Sequence, residues 1–262
     1  AIYEHLAKAN PQEYEPALAD SYNNLAVLYY ETQRFKEGEA MHKSAVAIRE
    51  RLVNDNPQAY EPALAVSYIN LANLYGDTQR FQESEAMHKS ALTIRERLAK
   101  ENPQTYEPAV ADSYNNLAVL YYKIQRFKEG EAMCKSALAI RERLARTNPQ
   151  TYEPALADSY NNLASLYSDT QRFKESEAMY KSALAIRERL VKANPQAYES
   201  ALADSYNSLA VLYRDTQRFQ ESESMHKPAL AIRERLAKAN PQAYEPALAD
   251  SYNNLAILYS VT

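Results

Sequence analysis

Residues 14–52 read YEPALADSYNNLAVLYYETQRFKEGEAMHKSAVAIRERL. Near-copies of this stretch follow at intervals of 46 residues, each opened by a tyrosine: Tyr60, Tyr106, Tyr152, Tyr198 and Tyr244. A fixed period of this size indicates supersecondary units that are too small to bury their own apolar face and that gain a continuous core by stacking. The repeat therefore predicts a solenoid, which offers an extended surface rather than one enclosed pocket.

The repeats are interpreted as a single array that covers residues 1–262. Five complete copies, named here repeats one to five, cover residues 14–59, 60–105, 106–151, 152–197 and 198–243. Residues 1–13 match the end of a preceding repeat, and residues 244–262 match only the first helix of a further one. We therefore expect a segment of a longer array, with apolar ends that no capping unit covers.

Composition and charge exclude two classes of partner. Apolar residues make up 46% and charged residues 24%, which is ordinary for a soluble domain. The net charge of -4 comes from 34 acidic and 30 basic residues that are interspersed, so no basic stripe exists for nucleic acid. Apolar stretches are too short and broken for a membrane-spanning helix. Cys134 is the single cysteine, which is typical of a reducing compartment, and we expect a cytoplasmic location.

Each repeat carries two apolar stripes at helical spacing. In repeat one the first stripe predicts helix A, from about Pro16 to Glu31, with Pro16 in its first turn. Its members are Leu18, Tyr22, Leu25 and Tyr29. After a short connection at residues 32–34, the second stripe predicts helix B, which ends near Asn54 because Pro57 disfavours helix before it. Its members are Phe35, Gly38, Met41, Ala45, Ile48 and Leu52. So short a connection makes the two helices antiparallel neighbours.

Small residues set how closely helices A and B approach each other. Ala26 in helix A is expected to face Gly38 in helix B. The same pairing recurs as Ala72 with Ser84, Ala118 with Gly130, Ala164 with Ser176, and Ala210 with Ser222. Pro228 replaces a serine deep in helix B of repeat five, so we expect a kink or a lost hydrogen bond there.

These residues resemble the tetratricopeptide repeat. The resemblance rests on the Leu25-Ala26 pair, Tyr29 one turn later, the small Gly38, and Ala45 in helix B. The motifs NLAxLY and SALxIRERL are similar to the long variant found in kinesin light chains. The 46-residue length differs from the usual 34, and Gln33-Arg34-Phe35 stands where the family often has glycine and tyrosine. The resemblance implies an all-α, right-handed superhelical α-solenoid of antiparallel helix pairs.

The resemblance also implies a site, because in the family the A helices line a concave groove that holds a peptide or a partner helix. In repeat one the corresponding residues are Asp20, Asn23, Asn24, Val27, Tyr30 and Glu31. In later repeats the candidates are Asn70, Asn73, Asn115, Asn116, Val119, Tyr122, Asn161, Asn162, Asn207, Arg214, Asn253 and Asn254. An amide both donates and accepts hydrogen bonds, so a ladder of asparagines suits a peptide backbone of any sequence. Bridging between adjacent repeats is an equal alternative.

The candidate groove differs between repeats. Val27 aligns with Asn73 in repeat two and with Ser165 in repeat four, while Tyr30 aligns with Gly76 in repeat two. Repeats one and three are more hydrophobic and aromatic, and those between them are more polar. This variation indicates either a surface that selects among peptides or neutral surface drift.

No motif predicts catalysis, a metal or a cofactor. His42, His88 and His226 occupy equivalent positions that lie roughly 10 Å or more apart in stacked helix pairs, too far to share one ion, so they are interpreted as packed histidines. The RER segments, such as Arg49-Glu50-Arg51, are interpreted as solvated helix faces with weak ion pairs. HExxH, GxSxG and Walker motifs are absent from the sequence.

The sequence therefore predicts a non-catalytic scaffold that binds a protein or peptide in the groove of A helices. The alternative is a structural spacer, or a segment that associates end to end with other copies through its uncapped repeat ends. Neither nucleic acid nor a membrane is an expected partner.

Overall fold

The computed structural model describes residues 2–261, which form twelve α-helices and no strand. In chain order the helices are α1 (Ile2–Ala9), α2 (Pro11–Glu31), α3 (Phe35–Asp55), α4 (Pro57–Asp77), α5 (Phe81–Glu101), α6 (Pro103–Lys123), α7 (Phe127–Thr147), α8 (Pro149–Asp169), α9 (Phe173–Ala193), α10 (Pro195–Asp215), α11 (Phe219–Ala239) and α12 (Pro241–Ser260). The chain divides into two compact units, Ala1–Met133 and Cys134–Thr262. None of the described helices is both long enough and apolar enough to cross a membrane.

Neighbouring helices pack in pairs, as the two apolar stripes predict. In the first unit α2 packs on α3 and α4 on α5, and in the second unit α8 packs on α9 and α10 on α11. B helices also pack on the A helix that follows them: α3 on α4, α5 on α6, α9 on α10 and α11 on α12. One core cluster shows how this arises, because Val46 of α3 packs with Leu64, Leu71 and Tyr75 of α4. The helix pairs of the predicted all-α fold are confirmed.

The predicted start of helix A at Pro16 is wrong, because α2 begins at Pro11. The asparagine before the first proline occupies the N-cap position, and in α4 the Asn56 side chain accepts from the Ala59 backbone N–H at 3.2 Å. Proline fits at the first helical position because its missing N–H costs nothing there. The second proline, Pro16, lies one and a half turns inside a continuous helix. Equivalent Asn–Pro starts open α6, α8, α10 and α12.

The short connection within each repeat is a Schellman turn. Gln33 adopts a left-handed conformation with φ 58°, its N–H donates to Tyr30 O at 2.9 Å, and Arg34 N–H donates to Tyr29 O at 2.7 Å. Glycine is the usual residue at this position. The same turn is built on glutamine in the other complete repeats: Gln79 (φ 61°), Gln125 (φ 60°), Gln171 (φ 59°) and Gln217 (φ 60°).

The small residues between helices A and B meet as predicted. A Cβ added to Gly38 would lie 3.3 Å from the carbonyl oxygen of Ala26, so this contact already has little spare room. Where serine replaces the glycine, its hydroxyl donates to the same carbonyl, as Ser176 Oγ does to Ala164 O at 2.8 Å. The close approach of helices A and B therefore allows backbone packing where the residue of helix B is glycine, and a buried hydrogen bond where it is serine.

Pro228 does not interrupt its helix, because α11 runs unbroken from Phe219 to Ala239. Proline carries no N–H, so it cannot donate to the carbonyl of Ser224 four residues earlier. The expected loss of one hydrogen bond follows from this, and the helix ends at the same place as in the other repeats.

An arginine, half-buried in repeat two and buried in the other complete repeats, joins each B helix to the next A helix. Arg187, which is 6% exposed, donates from Nη1 to Ala201 O at 3.0 Å and to Ser205 Oγ at 2.6 Å, both in the following repeat. Its Nη2 donates to Asp158 Oδ1 of its own repeat at 2.7 Å. The bonds to the carbonyl and the serine recur with Arg49, Arg95, Arg141 and Arg233.

The interpretation of the RER segments as solvated faces is therefore wrong for the first arginine. Arg49 is 6% exposed, because the helix turns its side chain toward the interface with α4. Glu50 and Arg51 are exposed as predicted, yet both also bond to other helices: Tyr68 donates to Glu50 at 2.6 Å, and Arg51 pairs with Glu15 at 2.5 Å. All three side chains hold helices together.

We expect Arg187→Met to lower the free energy of unfolding by about 2–4 kcal/mol, because Ser205 Oγ and the Ala201 carbonyl lose their donor inside the protein. Arg189→Met is the matched control, since Arg189 lies on the same helix but is 59% exposed in its pair with Glu153. Its expected cost is below about 1 kcal/mol. Urea unfolding followed by circular dichroism measures both, and equal midpoints for the two variants would contradict the assignment.

We expect Ala164→Leu to cost about 1–3 kcal/mol, because the added methylenes must fit a contact where Ala164 is fully buried and its carbonyl is bonded to Ser176. The measurement is again the urea midpoint. Ala185→Leu, at an exposed position of α9, is the control for adding leucine to a helix. A midpoint for Ala164→Leu equal to that of the unsubstituted chain would show that the contact is loose.

Candidate protein-interaction surface

The first asparagine of the predicted pair serves contacts inside the protein in repeats one and four. Asn23 is 6% exposed, and its Nδ2 donates to Ser67 Oγ of the next repeat at 3.0 Å. Its Oδ1 lies 3.0 Å from Nδ1 of His42. In repeat four Asn161 accepts from Nη1 of Arg187 at 2.8 Å once its amide oxygen faces that group. The bridging alternative describes Asn23, and this side chain is not open to a ligand.

Several predicted residues are exposed or half-buried on the A helices. Val27, Tyr30, Val119 and Tyr122 are exposed by 46%, 41%, 54% and 43% respectively. Asp20, Asn24, Glu31, Asn73 and Asn253 are also exposed, and the half-buried ones are Asn70, Asn115, Asn116, Asn161, Asn162, Asn207, Arg214 and Asn254. Some of these are tied to other side chains, since Asn254 Nδ2 donates to Asn207 Oδ1 at 3.0 Å. Arg214 pairs with Asp215 at 2.8 Å.

Asp20 shows how an exposed residue of the predicted set is positioned. Its carboxylate accepts from Nη2 of the buried Arg49, although the aspartate side chain is 66% exposed. Asp158 and Asp204 pair in the same way with Arg187 and Arg233 at 2.7 Å. These carboxylates therefore present one edge to solvent while a buried guanidinium fixes the other.

A cavity of about 400 Å³ lies in the unit Ala1–Met133, against α4. Six of its lining residues belong to the predicted groove set: Val27, Tyr30, Asn70, Asn73, Asn116 and Val119. They come from α2, α4 and α6, so successive A helices share one concave site. The other lining residues are His42, Ala72, Leu74, Gly76, Asp77, Ser84, His88, Leu120 and Lys123.

The cavity coincides with a missing side chain at Gly76. A Cβ built there would meet only Ser84 Oγ, at 3.4 Å. In repeat one the aligned Tyr30 packs edge-on against Phe35, with ring centroids 5.6 Å apart, and donates to Asp77 Oδ2 at 2.7 Å. In repeat two no such ring is present, and the side chain of Lys123 reaches into that region instead.

Lys123 is bonded on several sides where it borders the cavity. Its Nζ donates to the carbonyl oxygen of Gly76 at 2.9 Å, lies 3.8 Å from Asp77 Oδ1, and lies 5.7 Å from the centre of the Phe81 ring. The two opposite charges of Lys123 and Asp77 thus compensate each other at the edge of the cavity.

Two buried histidines, His42 and His88, are among the residues that line the cavity. Burial lowers the pKa of His42 to about 4, and burial together with the charge of Arg95 lowers the pKa of His88 to about 4. Both imidazoles are therefore neutral near pH 7. Nδ1 of His42 is satisfied by Asn23, but the aligned residue in repeat two is Ile69, and Nδ1 of His88 has no hydrogen-bond partner within residues 2–261.

The histidines are buried, as the sequence predicted, but the sequence did not predict that His42 and His88 line this cavity. It also missed Gly76 as the origin of a cavity. Composition offered a signal for the cavity, because the chain has only 3 glycines. Gly38 and Gly130 lie at helix crossings, whereas Gly76 stands where other repeats have tyrosine, serine or arginine. Whether a missing side chain leaves a cavity depends on neighbours from two other repeats.

Comparison with solved structures places the chain among repeat proteins of this fold. It is 27% identical to BtubC (BKLC) from P. vanneervenii, with a TM-score of 0.72 over 89% of this chain and 86% of that chain. It is also similar in fold to a putative kinesin light chain of Podosopora anserina with nearly identical TPR-like repeats, at 21% identity and a TM-score of 0.67 over 87% and 99% of the two chains. A third similar fold is PilF of Pseudomonas aeruginosa, at 14% identity and a TM-score of 0.55 over 95% of each chain. A search of curated proteins found no match.

Family models give the assignment directly. One tetratricopeptide repeat model matches residues 17–97 and 109–189, and a second matches residues 202–242. Repeats of this kind are generally non-catalytic scaffolds that bind proteins or peptides. With more than half of its residues matched and its helices packed in pairs, the chain belongs to the tetratricopeptide repeat family.

Proposed function

We propose that this chain binds an extended peptide segment of a partner protein across α2, α4 and α6. The observation that carries the proposal is the cavity that these three successive A helices share. A site formed by several repeats contacts several consecutive residues of a ligand rather than one small group. Such a site suits a scaffold that binds proteins. Peptide-recognition surfaces commonly combine backbone hydrogen bonds with pockets for individual side chains.

The amides of Asn70 and Asn116 support this proposal. Both are half-buried, both line the cavity, and neither makes a hydrogen bond to another group within residues 2–261. They occupy aligned positions in consecutive repeats, roughly 10 Å apart for packed helices. An extended peptide advances about 3.3 Å per residue, so two such amides would meet its backbone about three residues apart.

Charge at the cavity favours a ligand segment without strong charge. Asp77 and Lys123 already compensate each other, and Lys123 also donates to the Gly76 carbonyl. Val27 and Val119, which are about half exposed, offer apolar contact on either side. A peptide that places apolar side chains between the two amides would bury this surface at little electrostatic cost.

The test is selection of linear peptides from a random phage-displayed library on the immobilised 262-residue chain, followed by calorimetry of the selected peptides. We expect Asn70→Ala combined with Asn116→Ala to weaken binding about tenfold or more, because two hydrogen bonds to the ligand are lost. Asn54→Ala, an exposed asparagine near the end of α3, is the control and should bind as the unsubstituted chain does.

Equal affinity of the double variant and the unsubstituted chain would contradict the proposed surface. Light scattering of the unliganded chain tests the alternative of self-association. Particle mass that grows with concentration in the absence of peptide, together with failure to select any peptide, would favour a self-assembling spacer.

A further inference from the structure

We propose that the guanidinium of Arg95 in α5 binds a carboxylate of the partner segment, at the position where the other complete repeats have an aspartate. This inference deepens the proposed function and rests on it, because it names one charged group that the bound peptide carries. Three observations support it: two acceptors missing from repeat two, the greater exposure of this arginine, and an aligned position that is open to solvent.

The arginines aligned with Arg95 bond to a carboxylate of their own repeat. In repeat four Nη2 of Arg187 donates to Asp158 Oδ1 at 2.7 Å. Asn161 accepts from Nη1 of the same guanidinium at 2.8 Å once its amide oxygen faces that group. The carboxylate pair recurs as Arg49 with Asp20 and as Arg233 with Asp204.

Repeat two lacks both of these acceptors. Val66 stands at the position of the aspartate, and Ile69 stands at the position of the asparagine. Arg95 keeps the bonds to the following repeat, since its Nη1 donates to Ala109 O at 2.8 Å and to Ser113 Oγ at 2.9 Å. Its Nη2 and Nε donate to no group within residues 2–261. Half of this guanidinium is therefore unpaired.

The charge of Arg95 is only partly compensated within the protein. Burial lowers the pKa of Arg95, and the negative charge of Asp112 on α6 opposes this effect. No hydrogen bond or ion pair joins Arg95 to Asp112 in the described part of the chain. A carboxylate in direct contact forms a charge-assisted hydrogen bond with a guanidinium, which is stronger than a bond between neutral groups. A ligand carboxylate would supply the contact that repeat two has lost.

The unpaired side of Arg95 is accessible from solvent. Arg95 is half-buried, whereas the aligned Arg49, Arg141, Arg187 and Arg233 are each 6–7% exposed. Nδ1 of His88 is sealed inside the protein without a partner, but Nη2 of Arg95 is not sealed in this way. Val66 is 44% exposed, and the aspartates at the aligned positions are also exposed. A ligand group can therefore approach from the side that the aspartate occupies elsewhere.

The carboxylate would lie beside the cavity rather than in it. Arg95 is not among the residues that line the cavity, but Asn70 is. Val66 and Asn70 are four residues apart on α4, so they share one face of the helix at about 6 Å along its axis. An extended peptide advances about 3.3 Å per residue. The acidic group would thus stand about two residues from the one that meets Asn70, and the segment at the cavity itself stays neutral.

The first experiment uses a small carboxylate as the probe. N-acetyl-L-glutamic acid α-amide is titrated into the isotope-labelled 262-residue chain at an ionic strength fixed with sodium chloride, and the arginine Nε–Hε signals are followed by NMR. We expect a saturable shift of the Arg95 signal. The control is N-acetyl-L-glutamine amide, which has nearly the same shape without the charge and should cause no such shift. Equal shifts from the two compounds, or no shift at Arg95, would overturn the proposal.

Two variants at one position locate the site. Val66→Asp supplies the missing carboxylate from the chain itself and should abolish the response of Arg95 to the acid. Val66→Ala keeps the position apolar and should respond as the unsubstituted chain does. Loss of the response in both variants, or in neither, would contradict the assignment. Circular dichroism spectra and urea midpoints report whether each variant is folded.

The same arrangement can be introduced into repeat four. Asp158→Val combined with Asn161→Ile gives Arg187 the neighbours that Arg95 has in repeat two. We expect a new saturable shift of the Arg187 signal on addition of the acid. An Arg187 signal that does not respond in the folded variant would show that the two missing acceptors do not create the site.

Peptides selected on the chain identify the source of the carboxylate and separate this inference from the proposed function. Replacing an acidic residue by its amide, or amidating the C-terminus, should weaken binding about tenfold or more, and the change that does so identifies the group. Peptides whose affinity neither change alters would refute the role of Arg95 and leave peptide binding intact. A shift of Arg95 by the acid, with no peptide selected, would refute the proposed function and retain the carboxylate site.

Discussion

The arginine that bonds each B helix to the next A helix is the interaction on which the rest of the structure depends. A planar guanidinium offers donors in two directions, so Arg187 can hold Asp158 of its own repeat and Ser205 of the next at the same time. Burial makes the bond to the serine costly to lose, because Ser205 is fully buried. The repeated arginine thereby fixes each A helix against the preceding pair. Because this arginine recurs at the same position of every complete repeat, the same contact joins successive repeats within each unit.

Repeat two departs from that scheme, and its three changes lie on one helix. In α4, Val66 replaces the aspartate that pairs with arginine, Ile69 replaces the asparagine that pairs with histidine, and Gly76 replaces a side chain that covers the surface. Ser67 is kept, so Arg49 retains its bond to the following repeat. The bond between repeats one and two is thus preserved, while an aspartate and an asparagine that pair with other side chains are replaced by the apolar Val66 and Ile69. The result is a cavity with an unpaired histidine, which gives this repeat a different surface from its neighbours.

The backbone conformation of the turn is more uniform between repeats than the side chains on the A helices. Every complete repeat turns through a left-handed glutamine, a conformation that costs non-glycine residues roughly 1–2 kcal/mol and is maintained by two hydrogen bonds to the preceding helix. The arginine after it lies over a tyrosine ring of that helix, as Arg172 does over Tyr167 at 4.1 Å. The same contact of arginine with tyrosine recurs in all five complete repeats. Differences in function can then arise on the A helices without altering the stack.

The sequence by itself determined the helix pairs, the short turn and the small residues at the crossing, because periodicity and turn length act locally along the chain. It also indicated some residues of the A helices that are exposed, such as Val27 and Val119, although Asn23 of the same predicted set is buried. It misplaced the start of that helix, since two prolines compete for the first turn and only the Asn–Pro cap decides between them. The buried role of Arg49 and the cavity at Gly76 were decided by tertiary structure. Both depend on which groups of the adjacent repeats come within a few ångströms, and spacing within one repeat carries no information about that.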